Sequence, residues 1–547
     1  MAFACNFRAL AGCLWLIGLC HDASADSYFP GPRIEPVTVN WQEAEQASAS
    51  SLADLNTAAA KHVPDIARSG LPVLLPLDTD QLLRDHASGE HNADDVYLGG
   101  FTPTGFFLPG PSGYDAVFSF NTARVSGFSD IKFSRPILVT ISGFTFLYEL
   151  PPPAARTDQT APPKLAAEFP GLRRQILEST LRYSFERYGA PYVVSIQCYD
   201  ARHTSRRLSC RNADRIAQHF LRALRLSGGA KAETPAASDP PRSQRPQEVS
   251  RVFTYHPAGR LIPGTGLKGH GGNADSTVYA RIRFPLADAP AYANSQSFMN
   301  WGDCNQTGRR PRPGSKDAPY RCRVNSKPLV FNEAAPENYS YPWRDNFCEH
   351  RHFYVGQCPS GQGHQGQDIR PATCRLRNEG ADRCEAYLDD VVAVRDGTIM
   401  REDWQESFLL YANAANERVR FRYMHMHPGQ MNEDKLLSGR AVREGETLGK
   451  VGNYNRRSNG TTYHLHFEMH VPTRDGWVRV NPYMTLVAAY EHLIQARGVE
   501  ITDPGDEPEY LAGHEEATSS KVGKPRQNTR KSPRKSPRKG KPQSKRR

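Results

Sequence analysis

A chain of 547 residues exceeds what one compact core organises, and its 42 prolines and 43 glycines break it into short elements, so two or three domains are expected. The formal net charge of +11 does not describe the whole chain, because thirteen Lys/Arg and no acidic residue fall in 521–547 and the remainder is slightly acidic. This excludes a uniformly basic nucleic-acid binder, and no run after residue 25 is long and apolar enough to span a membrane.

Residues 1–25 read as an export signal: Arg8 is a positive start, Ala9 to Leu19 an apolar stretch, and Ala23-Ser24-Ala25 a small-residue cleavage site. A lipoprotein site at "LAGC", Leu10 to Cys13, is the weaker alternative, because most of the apolar sequence follows it. Cleavage leaves eight cysteines, Cys198, Cys210, Cys304, Cys322, Cys348, Cys358, Cys374 and Cys384. Four sequential disulfides are the simplest pairing for an exported chain by loop-closure entropy, and no C-x-x-C supports a cysteine zinc site instead.

Residues 26–69 are Ala/Ser-rich with a weak helical pattern over Trp41 to Ala59, and are expected to form a loosely ordered lead-in. An α+β domain of unknown role follows over 70–228. Its expected strands are "DAVFSF", "PILVTISGFTFLYEL" and "PYVVSIQCY"; one helix is expected over Gly171 to Tyr188. A second helix, with Ile216, Ala217, Phe220, Leu221 and Leu224 on one face, is expected to be capped by Asn212 and ended by Gly228-Gly229. Residues 229–250 are a linker by their Pro, Ala, Ser and charge content.

Beyond the linker the texture changes. "VYARIRFPL", "DVVAVRDGTI", "SFLLYA", "RVRFRYMHM" and "HLHFEMHV" alternate with Gly, Asp and Asn turns, an antiparallel β pattern assigned to 251–492 with its core at about 276–490. Residues 493–547, including Lys-Ser-Pro-Arg repeats, read as a disordered basic tail. The predicted fold class is therefore multidomain, an N-terminal α+β domain plus a C-terminal, mainly antiparallel β domain.

The 18 histidines are not scattered. In "HLHFEMH", strand alternation sends Leu465, Phe467 and Met469 to one face and His464, His466, Glu468 and His470 to the other, the first two imidazoles about 7 Å apart. Alone, this pattern fits a polar strand face. In "HQGQDI", however, Gly366 sits between His364 and Asp368, so a turn can aim an imidazole and a carboxylate at one point. With His466 these make a His/Asp/His donor set with an open position, the pattern of catalytic rather than structural zinc.

These residues resemble the lysostaphin-type zinc endopeptidases, the family of LytM-like peptidoglycan hydrolases. "HQGQDI" is similar to that family's H-x-G-x-D, "HLHFE" to its H-x-H strand and "YMHM", Tyr423 to Met426, to its Tyr-x-His; "VVAVRDGTI", "REGETLGKVGN" and "VNPYMTL" stand in the matching order. The resemblance implies that His364, Asp368 and His466 hold one Zn2+ per chain and that His425 and His464 flank the open position as catalytic groups. His427 is the alternative to His425, and Glu468 and His470 read as supporting residues. The chain departs from the family in the long cysteine-bearing segment before His364 and in "SNGTTYH" before His464.

The function so implied is that of a periplasmic or secreted zinc endopeptidase cutting peptide cross-links of peptidoglycan. The alternative is a catalytically inactive wall-binding activator of another hydrolase. The cationic residues 521–547 suit anionic envelope polymers better than nucleic acid in an exported protein. No stable membrane insertion is expected.

Overall fold

The structure is a computed structural model that describes residues 29–501 apart from 90–95, 134–135, 153–157, 160, 178, 199–207, 232–252, 262–264, 295–322, 325–326, 329–342, 372–385, 403–406 and 415–416. The expected signal segment, most of the linker and the basic tail beyond residue 501 lie outside the described residues, as do Cys304, Cys322, Cys374 and Cys384. The first part of the expected tail is described, and its Val499–Glu500 pairs as a strand with Thr254–Tyr255. Among the described residues, Cys198–Cys210 and Cys348–Cys358 are disulfide-bonded, and no helix is long and apolar enough to cross a membrane.

The chain is mostly β, arranged chiefly in two antiparallel sheets. The first has seven strands in the order Phe101–Gly110, Gly113–Phe120, Ile137–Phe144, Ala190–Gln197, Thr180–Arg187, Arg173–Leu177 and Asp158–Gln159. The helix Cys210–Ala223 packs on it through Ile216, Ala217, Phe220 and Leu221, which are buried with Tyr183, Val194 and Ile196 in one apolar cluster. Burying such side chains stabilises the fold by roughly 1.5–3 kcal/mol each.

Three sequence expectations change here. Gly171 to Tyr188 is not a helix but a hairpin of Arg173–Leu177 and Thr180–Arg187. Leu181, Tyr183 and Phe185 alternate, and burying them against the sheet outweighs the helical propensity of the intervening polar residues. The later helix is capped by Ser209, whose hydroxyl accepts from the Asn212 amide, and it ends at Ala223, with Arg225–Gly228 pairing as a strand to Val73–Leu75. Residues 26–69 are more than a lead-in: the helices Trp41–Ala47 and Leu52–Ala59 bury Ala44, Leu52, Leu55, Ala58 and Ala59 in the same core.

The second sheet runs Ala291–Ala293, Gln367–Pro371, Leu465–Thr473, Glu417–Met424, Ser407–Ala414, Gly397–Arg401 and Ala441–Val442, with Gly476–Val480 folding back on Leu465–Thr473. "VYARIRFPL" supplies buried Tyr279, Ile282, Phe284 and Leu286 but no regular strand; only Leu286 bridges to Val391. The helix Tyr483–Ile494 closes this core and runs slightly past the expected boundary at 492.

Alternation gives the second sheet two unlike faces. Leu465, Phe467, Met469, Val419, Phe421 and Tyr423 enter the core, so His466, Glu468 and His470 share the opposite face with Met424, Arg422 and Arg420, their cross-strand partners. The first sheet covers the far end of that polar face. Asp115 accepts from Arg418 Nη2 at 2.6 Å and Arg420 Nη2 at 2.7 Å, Ser142 accepts from Trp477 Nε1 at 3.2 Å, and Phe106 and Val117 pack on Leu409 and Tyr411.

Candidate metal centre

Adjacent strands place two of the three predicted donors. Asp368 stands directly opposite His466 in the pairing of Gln367–Pro371 with Leu465–Thr473. Gly366 permits this approach, because a Cβ there would lie 2.3 Å from the Phe467 carbonyl oxygen. His364, four residues before Asp368, comes from the segment that enters the strand. The donor atoms of His364, Asp368 and His466 all lie within 4.8 Å of one another, and all three residues are buried.

The partners of the outer ring nitrogens fix the tautomers. His364 Nδ1 donates to the Asn346 carbonyl at 3.0 Å, which turns its Nε2 lone pair inward. His466 Nε2 donates to Glu468 Oε1 at 3.1 Å, which turns Nδ1 inward. These inward nitrogens are 3.0 Å apart and lie 3.3 and 3.1 Å from Asp368 Oδ1. Two nitrogens and a carboxylate oxygen facing one another at such distances form a donor set that fits a divalent metal taking nitrogen and oxygen ligands.

His425 and His464 sit beside this cluster, with ring centroids 4.7 Å apart. His425 Nδ1 donates to the Tyr454 carbonyl at 2.8 Å and His464 Nδ1 to the Thr462 carbonyl at 2.7 Å, leaving both Nε2 atoms as acceptors. His464 Nε2 is 3.4 Å from Asp368 Oδ1. His425 adopts a left-handed backbone, φ 72°, against Gly452, where a Cβ would lie 2.2 Å from the His425 carbonyl oxygen. The same Gly452 accepts from the His464 amide at 3.2 Å, so one turn holds both histidines. His427 lies elsewhere: its Nδ1 accepts from the Gly429 amide and caps the helix Pro428–Glu433.

The cluster is electrostatically uneven. Burial lowers the pKa of His364, drives that of His464 well down and takes that of His425 to about 4, assisted at His425 by the charge of His466. Burial also acts against charge on His466, but hydrogen bonds to Asp368 and Glu468 outweigh it and raise its pKa. Burial opposes charge on Asp368 too, and the nearby His364 and His464 overcome it, holding the carboxyl well below its usual range.

Further polar groups back His364, Asp368 and His466; Glu468 and His470 are among those read from the sequence, and Asn346 is not. Asn346 Nδ2 donates to Asp368 Oδ2 at 2.9 Å, while its side-chain oxygen accepts from the Asp368 amide at 3.2 Å. Glu468 also accepts from His470 Nε2, Arg422 Nη1 and Arg479 Nε at 2.8, 3.0 and 2.7 Å. For Glu468 and His470 the shared strand face was a visible signal; for Asn346 no local pattern exists.

Residues 377–482 match the sequence model of peptidase family M23. This span includes His425, His464 and His466 and begins after His364 and Asp368. Among solved structures the chain is similar to the lytM protein of Ruminococcus gnavus, at 24% identity over 25% of this chain and 49% of that one, with a TM-score of 0.18. It is also similar to lysostaphin, an antimicrobial peptidase from Staphylococcus simulans, at 21% identity over 24% of this chain and 45% of that one, with a TM-score of 0.15. The match thus spans about half the length of each. No curated protein matches the chain.

Proposed function

We propose that the protein is an exported zinc-dependent endopeptidase that hydrolyses peptide cross-links of bacterial peptidoglycan. The observation that carries this reading is the inward convergence of His364 Nε2, Asp368 Oδ1 and His466 Nδ1, with two further histidines beside them whose Nδ1 atoms are hydrogen-bonded to backbone carbonyls. His364, Asp368 and His466 would hold the ion, which when bound supplies Lewis acidity that polarises an amide carbonyl and makes water a better nucleophile.

The remaining chemistry belongs to side chains. His425 and His464 are neutral over the ordinary pH range, so each Nε2 can take a proton from the attacking water and return one to the leaving amine nitrogen. Their Nδ1–H bonds to Tyr454 and Thr462 hold the rings in the tautomer this requires. Activity falls in acid, because His364 and His466 must be unprotonated at their inward nitrogens to ligate. The two disulfides suit an oxidising compartment such as the periplasm or the medium.

The test compares two variants for metal content and for chelator-sensitive release of muropeptides from sacculi. His464→Ala should retain zinc and lose turnover, whereas His466→Ala should lose the metal. Near-normal hydrolysis by His464→Ala would overturn its assigned role. A wild-type chain that binds no metal and releases no muropeptides would overturn the enzymatic reading in favour of a wall-binding activator.

A further inference from the structure

One side chain stands between two of the three donors and belongs to neither sequence motif. Asn346 is buried, and each of its polar groups has a defined partner. Its carbonyl accepts from His364 Nδ1 at 3.0 Å and from the Glu349 amide at 3.2 Å. Its amide nitrogen donates to Asp368 Oδ2 at 2.9 Å, its side-chain oxygen accepts from the Asp368 amide at 3.2 Å, and its backbone N–H donates to Gln367 Oε1 at 3.1 Å. Asp368 Oδ2 is thereby occupied, and Oδ1 is the oxygen left facing the histidines.

A second observation shows what holds Asn346. Cys348 and Glu349 pair with His364 through two backbone bonds, Cys348 N–H to the His364 carbonyl at 3.0 Å and His364 N–H to the Glu349 carbonyl at 2.7 Å. Gly363 is pressed so closely to this segment that a Cβ would lie 2.5 Å from Cys348 Cα. The Cys348–Cys358 disulfide closes the loop, and Phe347, Cys348, Val355 and Cys358 form its buried core. On the other side, Asp345 is anchored by the Asn481 side-chain amide at 2.6 Å and the Gly259 N–H at 2.8 Å. Asn346 is thus fixed from both directions.

We infer that Asn346 is a positioning residue for the metal centre and that the loop closed by Cys348–Cys358 presets the His364–Asp368 half of the site. The inference rests on the metal reading proposed above and adds residues that lie outside the family-matched span 377–482. The amide is required chemically: a carboxylate at 346 cannot donate to Asp368 Oδ2 and would face it with like charge, while alanine leaves that oxygen without its partner. The backbone carbonyl that orients His364 survives either substitution, so the variants report on Asp368 alone. The disulfide reports on His364, because its loss frees the Cys348–Glu349 segment that bonds that residue's backbone.

The test uses the full-length oxidised chain and three readouts: Zn2+ affinity by competition with a chromophoric chelator, the visible spectrum of the Co2+-substituted protein, and the melting temperature of the metal-free protein. Asn346→Ala and Asn346→Asp should each weaken Zn2+ binding by about 10–100-fold. Both should also change the Co2+ bands. The double variant Cys348→Ser/Cys358→Ser should weaken binding in the same direction. Wild-type affinity and an unchanged Co2+ spectrum in both Asn346 variants would overturn the role of Asn346, and wild-type affinity in the cysteine variant would overturn that of the loop. If Asn346→Ala does not fold, the near-isosteric Asn346→Asp decides. Asp368→Ala serves as the separate control: should it bind Zn2+ like wild type, the metal reading itself fails.

Discussion

Glu468 Oε1 accepts from His466 Nε2 at 3.1 Å, on the side of the imidazole opposite the nitrogen that faces Asp368. The same carboxylate receives Arg422, Arg479 and His470, and it is fully buried. A carboxylate behind a donor histidine fixes the ring's tautomer and raises its basicity.

Glu468→Gln should therefore lower metal affinity by about 10–100-fold. It should also reduce stability, because removing one member of a buried charge cluster costs about 3–5 kcal/mol when the other charges stay behind. Metal titration and denaturant unfolding of the metal-free protein check the two effects separately. Wild-type affinity would show that Glu468 serves only the fold.

Asp115 joins the two sheets. It is buried with Arg418 and Arg420, and Arg420 also lies over the Trp477 ring at 3.8 Å. Burial opposes charge on Asp115, but the two guanidiniums outweigh it and lower its pKa. Its contribution to stability is thus present above the ordinary carboxylate range and lost as pH falls through the lowered value. Asp115→Ala, which strands two buried cations, should cost about 3–5 kcal/mol in urea unfolding. A loss below about 1 kcal/mol would show that the junction opens to water.

Gly452→Ala should disturb the site without touching a donor. The added methyl meets the His425 carbonyl oxygen at 2.2 Å, a backbone atom that cannot swing away. The expected result is a loss of about 1–3 kcal/mol in stability together with impaired hydrolysis, while Zn2+ is still bound through His364, Asp368 and His466. Unchanged turnover would show that the placement of His425 is not critical.

Two buried groups outside the His364–Asp368–His466 cluster give stability opposite pH slopes. Burial, with Arg344 and Arg260, lowers His256 from 6.5 to about 2, so the unfolded chain takes up the proton first and stability falls as pH drops below 6.5. Burial raises Asp345 from 3.8 to about 6, so its folded form keeps a proton and stability falls as pH rises from 3.8 to 6. His256→Gln removes the first slope alone. Relative to wild type, the variant should gain about 1.4 kcal/mol per pH unit on acidification below 6.5. Urea midpoints at several pH values measure this, and parallel profiles would contradict it.

The sequence by itself determined the features written in local order. The strands around "SFLLYA", "RVRFRYMHM" and "HLHFEMHV" were legible because period-2 alternation belongs to one segment, and the H-x-G-x-D and H-x-H motifs were legible because their spacing is short. Tertiary structure decided what depends on partners far along the chain. It made Arg173–Arg187 a hairpin rather than a helix, drew Trp41–Ala59 into a core, set Asp368 opposite His466, and brought Asn346 against Asp368 and His364. The physical reason is that burial and hydrogen-bond satisfaction are settled by which distant atoms meet, and no window along a single segment contains those atoms.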